Sequence, residues 1–198
     1  MPEPSLRSRL RAETRPAHER LDASFAGLAE GDPTDYGLFL RMNEACHGAI
    51  EPLLAASPLA AARPRSAAGD LHAAALADVE AMRLRRIVPA AFPLAKPTLA
   101  QSLGIAYVVE GSKLGARQIL RRLRKAADEE TDRLPVAFLE RAAGGADGFK
   151  AFLEMAETLV ATRAEQDVAV EAADATFGYF LDVVRRAGAG DERGGRVN

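Results

Sequence analysis

Three histidines are the side chains of this 198-residue chain best suited to metal or proton chemistry: His18, His47 and His72. His18 lies in a run predicted to be helical. Asp22 follows it by one helical turn, so the carboxylate can reach one ring nitrogen. A carboxylate there fixes the tautomer and raises the basicity of the other nitrogen, as in metal-binding histidines. By itself, the pair is more typical of a core histidine satisfied by local hydrogen bonds.

Glu44 and His47 form a second candidate, an E-x-x-H pair on one predicted helix. This spacing chelates iron in carboxylate-bridged di-iron bundles, which also need a second E-x-x-H pair and carboxylates on facing helices. His72, in Asp70-Leu-His72, has the wrong spacing to supply that second pair. The spacing at Glu44 is therefore most simply a chance match. Nothing in the local sequence lowers the pKa of Cys46 enough to indicate a nucleophile.

Two glycines, Gly111 and Gly115, lie four residues apart inside a long helical pattern, within the stretch 107–120. A glycine inside a helix costs about 1 kcal/mol relative to alanine, so the pair requires a reason. One reason is the close packing of another helix. The other is a flat ligand that lies directly on the backbone, with a helix free to kink there. The spacing alone favours close packing.

The elements that position these residues are all predicted to be helices. Alanine, leucine, arginine and glutamate dominate the composition and β-branched residues are sparse, which favours an all-α fold. The predicted helices are one from Ser5 to Phe25 that Pro16 kinks or that restarts with a cap at Thr14, then 34–56, 71–85, 97–128, 135–142, and a last helix of about 40 residues from the turn at 144–148 to Ala187.

The chain is predicted to form one domain. A single helical bundle is expected at residues 1–187, followed by a disordered tail at 188–198. Residues 57–69 are rich in alanine, proline and arginine and are expected to form an ordered loop. Ser5 and Asp70 are the predicted caps of the helices that follow them.

Composition also narrows the class of protein. The net charge of −2 gives no reason to expect a nucleic-acid or membrane partner. The single cysteine excludes an internal disulfide and suits a reducing compartment, and no apolar run approaches the roughly 20 residues that span a bilayer. We therefore expect a cytoplasmic protein. The basic run 121–125 is most simply a solvated helix end, and alternatively a surface that attracts an acidic redox partner.

Taken together, two stretches resemble the heme oxygenase family, in particular its bacterial, biliverdin-producing branch. Residues 10–22, LRAETRPAHERLD, resemble the helix that carries the proximal heme ligand, and residues 110–115, EGSKLG, resemble the bacterial form of the distal helix. Weaker similarities lie at 75–78 and 175–180. The resemblance implies a heme-oxygenase-like helical bundle with a kinked distal helix. It also implies an oxidoreductase that cleaves heme b, both cofactor and substrate, to biliverdin, CO and ferrous iron.

The same resemblance assigns roles at the iron. His18 would be the proximal iron ligand, which leaves the opposite axial position open for O₂. Gly111 and Gly115 would supply the distal backbone surface, and Ser112 would help to hold an ordered water that delivers a proton. This sequence departs from the family pattern in having Ala116 where many members have a further glycine. The distal aspartate of the animal enzymes has no counterpart.

Further roles belong to the heme pocket. Arg11 would meet a heme propionate through a charge-assisted contact, and Lys150 would be a second propionate partner. Asp22 stands where the family more usually has a glutamate, which shortens the reach to the imidazole. The remaining residues implied to bind heme are Thr14, Leu21, Tyr107, Val108 and Phe177.

Other readings of the resemblance stay open. The chain would alternatively be a non-catalytic heme-binding or signalling module, or a di-iron oxidase of the same fold that uses Glu44 and His47. The thiamin-degrading enzymes of this fold are a more distant alternative. As a heme oxygenase it would take electrons from a ferredoxin or a reductase. Its biliverdin would supply a photoreceptor of the phytochrome type, or its iron would supply nutrition.

Overall fold

The computed structural model describes residues 4–30, 32–62, 70–126 and 134–194, and within these ranges every regular element is helical. The all-α prediction is therefore confirmed. The α-helices are α1 Leu6–Ala23, α2 Pro33–Ala55, α3 Leu59–Ala62, α4 Leu71–Ala81, α5 Leu99–Ala126, α6 Ala137–Gly145, α7 Phe149–Leu159 and α8 Arg163–Gly194, with 3-10 turns at Ala26–Glu30 and Ala146–Gly148. No helix in these ranges is long and apolar enough to cross a bilayer.

Helix α1 begins where the sequence predicts. The Ser5 hydroxyl accepts a hydrogen bond from the Ser8 amide at 3.3 Å, which caps the free amides of the first turn. Pro16 lies inside the helix without ending it, so the predicted restart at Thr14 is wrong. The Thr14 hydroxyl instead donates to the Leu10 carbonyl at 2.7 Å, one turn back. Proline removes one amide donor, and the remaining hydrogen bonds carry the helix past it.

Two apolar cores lie side by side, and α5 and α8 contribute to both. We call one the α1 core. It joins α1 and α7 to the first half of α5 and of α8, through Leu6, Leu10, Ala17, Leu103, Ala106, Val108, Phe152, Leu153, Ala169 and Phe177 among others. The other joins α2, α4 and α6 to α5 and α8, mainly to their second halves, through Leu40, Ile50, Val79, Phe138, Leu120 and Val183 among others. The two long helices therefore hold the bundle together.

The last helix is shorter than predicted. The expected helix of about 40 residues is wrong because the chain breaks at Val160, whose φ of −121° and ψ of 77° are not helical. Helix α8 then begins afresh. The Thr162 amide donates to the Glu165 carboxylate at 3.0 Å, and the Glu165 amide donates to the Thr162 hydroxyl at 3.3 Å. This capping box is a start signal that was visible in the sequence.

Smaller differences lie at other boundaries. Asp70 precedes α4 with a left-handed φ of 106°, and its side chain makes no capping bond, so the predicted cap is wrong.

The short helix α3 lies in the predicted loop at 57–69, of which 63–69 fall outside the described residues. Helix α8 is helical to Gly194, past the predicted start of the tail, and 195–198 are not described. The domain division and the kink in α5 stay predictions, and α5 is one continuous helix.

Helix α6 is capped by a side chain from another helix. Asp78 on α4 is buried, and its carboxylate accepts hydrogen bonds from the Phe138 amide at 2.8 Å and the Ala137 amide at 3.1 Å. Burial raises the pKa of Asp78, although these two hydrogen bonds act to lower it. The carboxylate thus satisfies the first amides of α6 where the helix packs against α4.

Replacing Asp78 tests this cap. Asp78→Ala leaves two amides without their acceptor, and we expect it to lower the free energy of unfolding by about 1–3 kcal/mol. Asp78→Asn keeps one acceptor oxygen and should cost less. Urea denaturation followed by circular dichroism measures both, and equal losses in the two variants would contradict the capping role.

The raised pKa of Asp78 also predicts how the stability of wild type relative to Asp78→Asn depends on pH. A carboxyl with a raised pKa in the folded state stabilises the fold below its unfolded pKa and loses that contribution as the pH rises through the folded value. Wild type should therefore gain stability relative to Asp78→Asn as the pH falls from 7 toward the ordinary value of 3.8. A difference that does not change with pH would show that burial does not perturb this carboxyl.

Candidate functional site

Helices α1, α5 and α8 bring four of the predicted site residues together. Val108 on α5 and Phe177 on α8 are both buried in the α1 core. Leu21 of α1 and Tyr107 of α5 are partly buried and pack against that same core. Tyr107 and Val108 are neighbours on α5, and with Leu21 and Phe177, which are distant in the sequence, they belong to one apolar cluster that we call the apolar wall.

His18 lies at the edge of this wall. Its Nδ1 is 3.0 Å from the Asp22 carboxylate, and its side chain is 58% exposed. The ring contacts Phe177 edge to face, with 5.6 Å between ring centroids. His18 is therefore not a buried core histidine. Because Asp22 engages Nδ1, Nε2 is the ring nitrogen available to an external ligand.

Tyr107 connects α5 to the predicted binding residues of α1. Burial raises the pKa of Tyr107, while the Thr14 hydroxyl and the positive charges of Arg11 and Arg7 act in the opposite direction. Thr14 and Arg11 therefore lie on the side of α1 that faces Tyr107. Arg11 is exposed, so its guanidinium can meet a charged group at the rim of the wall.

The glycines of α5 serve two different purposes. A Cβ added at Gly104 would lie 2.0 Å from the backbone oxygen of Ala169, so Gly104 is the position where α5 packs directly on α8. A Cβ at Gly111 would meet only the ring of Phe149, at 3.7 Å, and one at Gly115 would meet no atom of the described residues within 4 Å. Close helix packing therefore explains Gly104, which sequence reasoning missed, and does not explain Gly111 and Gly115.

The opposite side of α5 carries a buried ion pair. Lys113 is 2% exposed, and its ammonium donates to both carboxylate oxygens of Glu110 at 2.8 Å. Glu110 and Lys113 are three residues apart, which places them on one face, about half a turn away from Gly111 and Gly115. The charged residues of the EGSKLG stretch are thus directed away from the glycine surface. The i, i+3 spacing of Glu110 and Lys113 is the signal in the sequence from which this contact could have been predicted.

Two other predicted residues have less specific surroundings. The Ser112 hydroxyl donates to the Val109 carbonyl at 2.8 Å, a bond within its own helix. Lys150 is 83% exposed and lies 3.8 Å from the Glu154 carboxylate. Within the described ranges, the structure records no contact between Lys150 and another predicted site residue. Its neighbour Phe149, which no sequence pattern marked, is the residue that reaches α5.

The side chains of the second candidate, Glu44 and His47, make pairwise contacts with neighbouring residues. Glu44 is buried, and Arg86 donates to its Oε1 at 2.6 and 3.0 Å. His72 Nε2 also lies 3.3 Å from that oxygen, a proximity that the sequence spacing did not predict. His47 Nδ1 is 3.0 Å from the Glu51 carboxylate. Among the described residues, no three histidine, cysteine or acidic side chains are grouped to hold a metal ion.

Cys46 is buried between these groups. Burial raises the pKa of its thiol, and the charge of Glu44 raises it further. The thiol is therefore held in its neutral form, as expected for a residue that is not a nucleophile.

Comparison with known families identifies the class of protein. The heme oxygenase family model matches residues 71–186, more than half of the chain. The chain belongs to the heme oxygenase family, as the resemblance predicts, and its fold is the all-α fold of that family. The match includes α5 with its glycines and Phe177 on α8, while α1 with His18 precedes it. No curated protein matches the chain.

The different purposes of the glycines can be tested without any ligand. Gly104→Ala places a methyl group against the α8 backbone, so it should destabilise the fold by about 1–3 kcal/mol or more. Gly115→Ala has open space and should stabilise the fold by up to about 1 kcal/mol, the gain in helix propensity. Chemical denaturation of the free protein measures both effects. A Gly104→Ala variant as stable as wild type would contradict the close approach of α5 and α8.

Proposed function

We propose that this protein is a heme oxygenase that binds heme b between α1 and α5, with His18 as the proximal iron ligand. It would cleave heme to biliverdin, CO and ferrous iron, with O₂ and with electrons from a ferredoxin or a reductase. The observation that carries the proposal is the space beside two glycines of α5, because a Cβ at Gly115 would meet no atom of the described residues within 4 Å and one at Gly111 would meet only the ring of Phe149. Two glycines inside one helix whose Cβ positions no other backbone of the described residues approaches within 4 Å fit a flat ligand that lies on the helix backbone.

The residues around this surface fit a heme. His18 offers a neutral imidazole nitrogen, and Asp22 on its other nitrogen at 3.0 Å favours the tautomer with the proton on Nδ1. Val108 and Phe177 supply an apolar wall of the kind that a porphyrin face requires. Heme, when bound, supplies the iron at which O₂ reacts and the porphyrin that is oxidised.

Two basic side chains would hold the heme propionates, and the glycine backbone would lie against the ring face. Arg11 is exposed on the side of α1 that faces Tyr107, where its fixed positive charge suits a propionate. Lys150 would serve a second propionate from α7, where its side chain is 83% exposed. The absence of side chains at Gly111 and Gly115 would let the backbone approach the ring face more closely than any other residue allows.

Ser112 would help to deliver a proton by orienting an ordered water molecule. Its hydroxyl proton is already donated to the Val109 carbonyl at 2.8 Å, so its oxygen is free to accept rather than donate. The hydroxyl would therefore orient a water molecule by accepting one of its protons. That water would direct its other proton toward the ligand.

Titration of the purified protein with hemin tests the function directly, followed by ascorbate or a ferredoxin system under air. We expect one heme per chain, then decay of the Soret band and growth of a broad red band from biliverdin. Stoichiometric binding without decay would replace the proposal with a non-catalytic heme-binding module. The absence of any Soret shift would contradict both.

Replacement of the proximal ligand provides the first prediction about a residue of the site. His18→Ala removes the iron ligand, and we expect the hemin Kd to rise at least about tenfold, the equivalent of roughly 1.4 kcal/mol, with an altered spectrum and little turnover. Added imidazole should restore the spectrum by replacing the lost side chain. His72→Gln is the matched control, because it changes a histidine on α4 instead. An unchanged Soret band and rate in His18→Ala would refute this ligand.

Gly115→Ala provides a second prediction, in which stability and binding change in opposite directions. The added methyl group stabilises the free helix, while it occupies the surface on which the ligand lies, so we expect a higher melting temperature together with weaker hemin binding. Gly178→Ala, in the interior of α8, also has open space and should raise stability without weakening binding. Unchanged hemin affinity in Gly115→Ala would contradict the proposed ligand surface.

A further inference from the structure

Phe149 gives Gly111 and Gly115 different surroundings on α5. The Cε2 and Cζ atoms of its ring lie 3.7 Å from the position that a Cβ of Gly111 would take. The ring also lies 5.9 Å from that of Tyr107, measured between centroids. Gly115 has no such neighbour among the described residues. One glycine is thus covered by an aromatic edge, and the other is open.

A contact from α5 itself holds Phe149 in this position. Arg117, two residues beyond Gly115, donates from Nη2 to the Asp147 carboxylate at 2.7 Å and to the Ala143 carbonyl at 3.3 Å. Asp147 lies in the 3-10 turn that leads directly into Phe149. The helix that carries the glycines therefore also anchors the turn that carries the aromatic ring.

The body of α7 fixes the ring from the other side. Phe152 and Leu153 are buried in the α1 core, and the rings of Phe149 and Phe152 are stacked with centroids 6.3 Å apart. The position of Phe149 is therefore restrained by the turn before it and by the packed helix after it. An aromatic ring restrained in this way can act as a fixed edge for a ligand.

We propose that Phe149 sets the position of the porphyrin along α5. This inference rests on the proposed function. A flat ligand on the glycine surface meets the Phe149 ring at Gly111, so its face lies over Gly115 and its edge stops at the aromatic ring. A porphyrin has four meso positions, and the one that is oxidised depends on how the ring is seated. Phe149 is thus a specificity-determining residue, and Arg117 and Asp147 are positioning residues that act through it.

Truncation of Phe149 tests the proposal with a readout that does not depend on turnover. In Phe149→Ala, the proton NMR spectrum of the ferric hemin complex should show a second set of heme methyl resonances, because the porphyrin can adopt a second seating. The hemin Kd should rise about tenfold, and the biliverdin isomer ratio should change. Phe149→Leu keeps part of the apolar edge and should give intermediate values.

Leu153→Ala is the matched control on the same helix. It removes a buried side chain of α7, whereas Phe149 is partly buried, so it should lower stability without changing the heme methyl pattern. A wild-type pattern in Phe149→Ala, or the same altered pattern in Leu153→Ala, would overturn the role of Phe149.

Asp147→Asn tests the anchor. It removes the charge that pairs with Arg117 and leaves the bond from Arg117 to Ala143 in place, so we expect the second methyl set at a lower population than in Phe149→Ala. A wild-type pattern would overturn the positioning role of the ion pair.

The outcomes separate the two proposals. If wild type binds hemin and forms no biliverdin, the proposed function fails while the NMR comparison still decides the role of Phe149. If wild type binds no hemin, both are overturned.

Discussion

The direct contact of α5 with α8 at Gly104 is the constraint on which the rest of the structure depends. A side chain at this position would overlap the backbone oxygen of Ala169, so the two helices can lie together only because residue 104 is glycine. Both helices continue into the second core, where Leu120 and Val183 are buried in the same cluster. The alignment of α5 against α8 therefore determines where Phe177 lies relative to the glycine surface of α5.

Two faces of α5 differ in chemistry within the EGSKLG stretch. The buried pair of Glu110 and Lys113 is on one face, and Gly111 and Gly115 are on the other. Removal of Glu110 would take from the buried Lys113 ammonium the carboxylate to which it donates, and breaking a buried ion pair in this way is strongly destabilising in proteins. The ion pair thus keeps the polar atoms of the EGSKLG stretch satisfied within the bundle. Gly111 and Gly115 contribute no side chains of their own to the other face, which suits the proposed ligand surface.

One contact of the candidate site lies within a single helix, and the others join separate helices. His18 and Asp22 are one turn apart on α1, and their contact needs no other element. The apolar wall beside them comes from α5 and α8, and the edge at Gly111 comes from α7. Family membership rests on the region from α4 to α8, which includes the glycine surface and the wall. Helix α1 joins the candidate site through its contacts with Tyr107 and Phe177.

By itself, the sequence determined the features that depend on spacing within one helix. These are the helical class, the cap at Ser5, and the contact between His18 and Asp22. Neighbours three or four residues apart on a helix meet wherever that helix lies, so such contacts can be read from the chain. The start of α8 at Thr162 and Glu165 was also encoded locally, although the sequence was interpreted as one long helix through this point.

Tertiary structure alone decided which glycine packs against a helix and which are open. In sequence, Gly104, Gly111 and Gly115 are equivalent interruptions of one helix, and the difference arises from where α8 and Phe149 lie. The cap of α6 by Asp78 and the approach of His72 to Glu44 likewise join separate helices. Such contacts depend on how whole apolar faces pack together, and no local spacing records that arrangement.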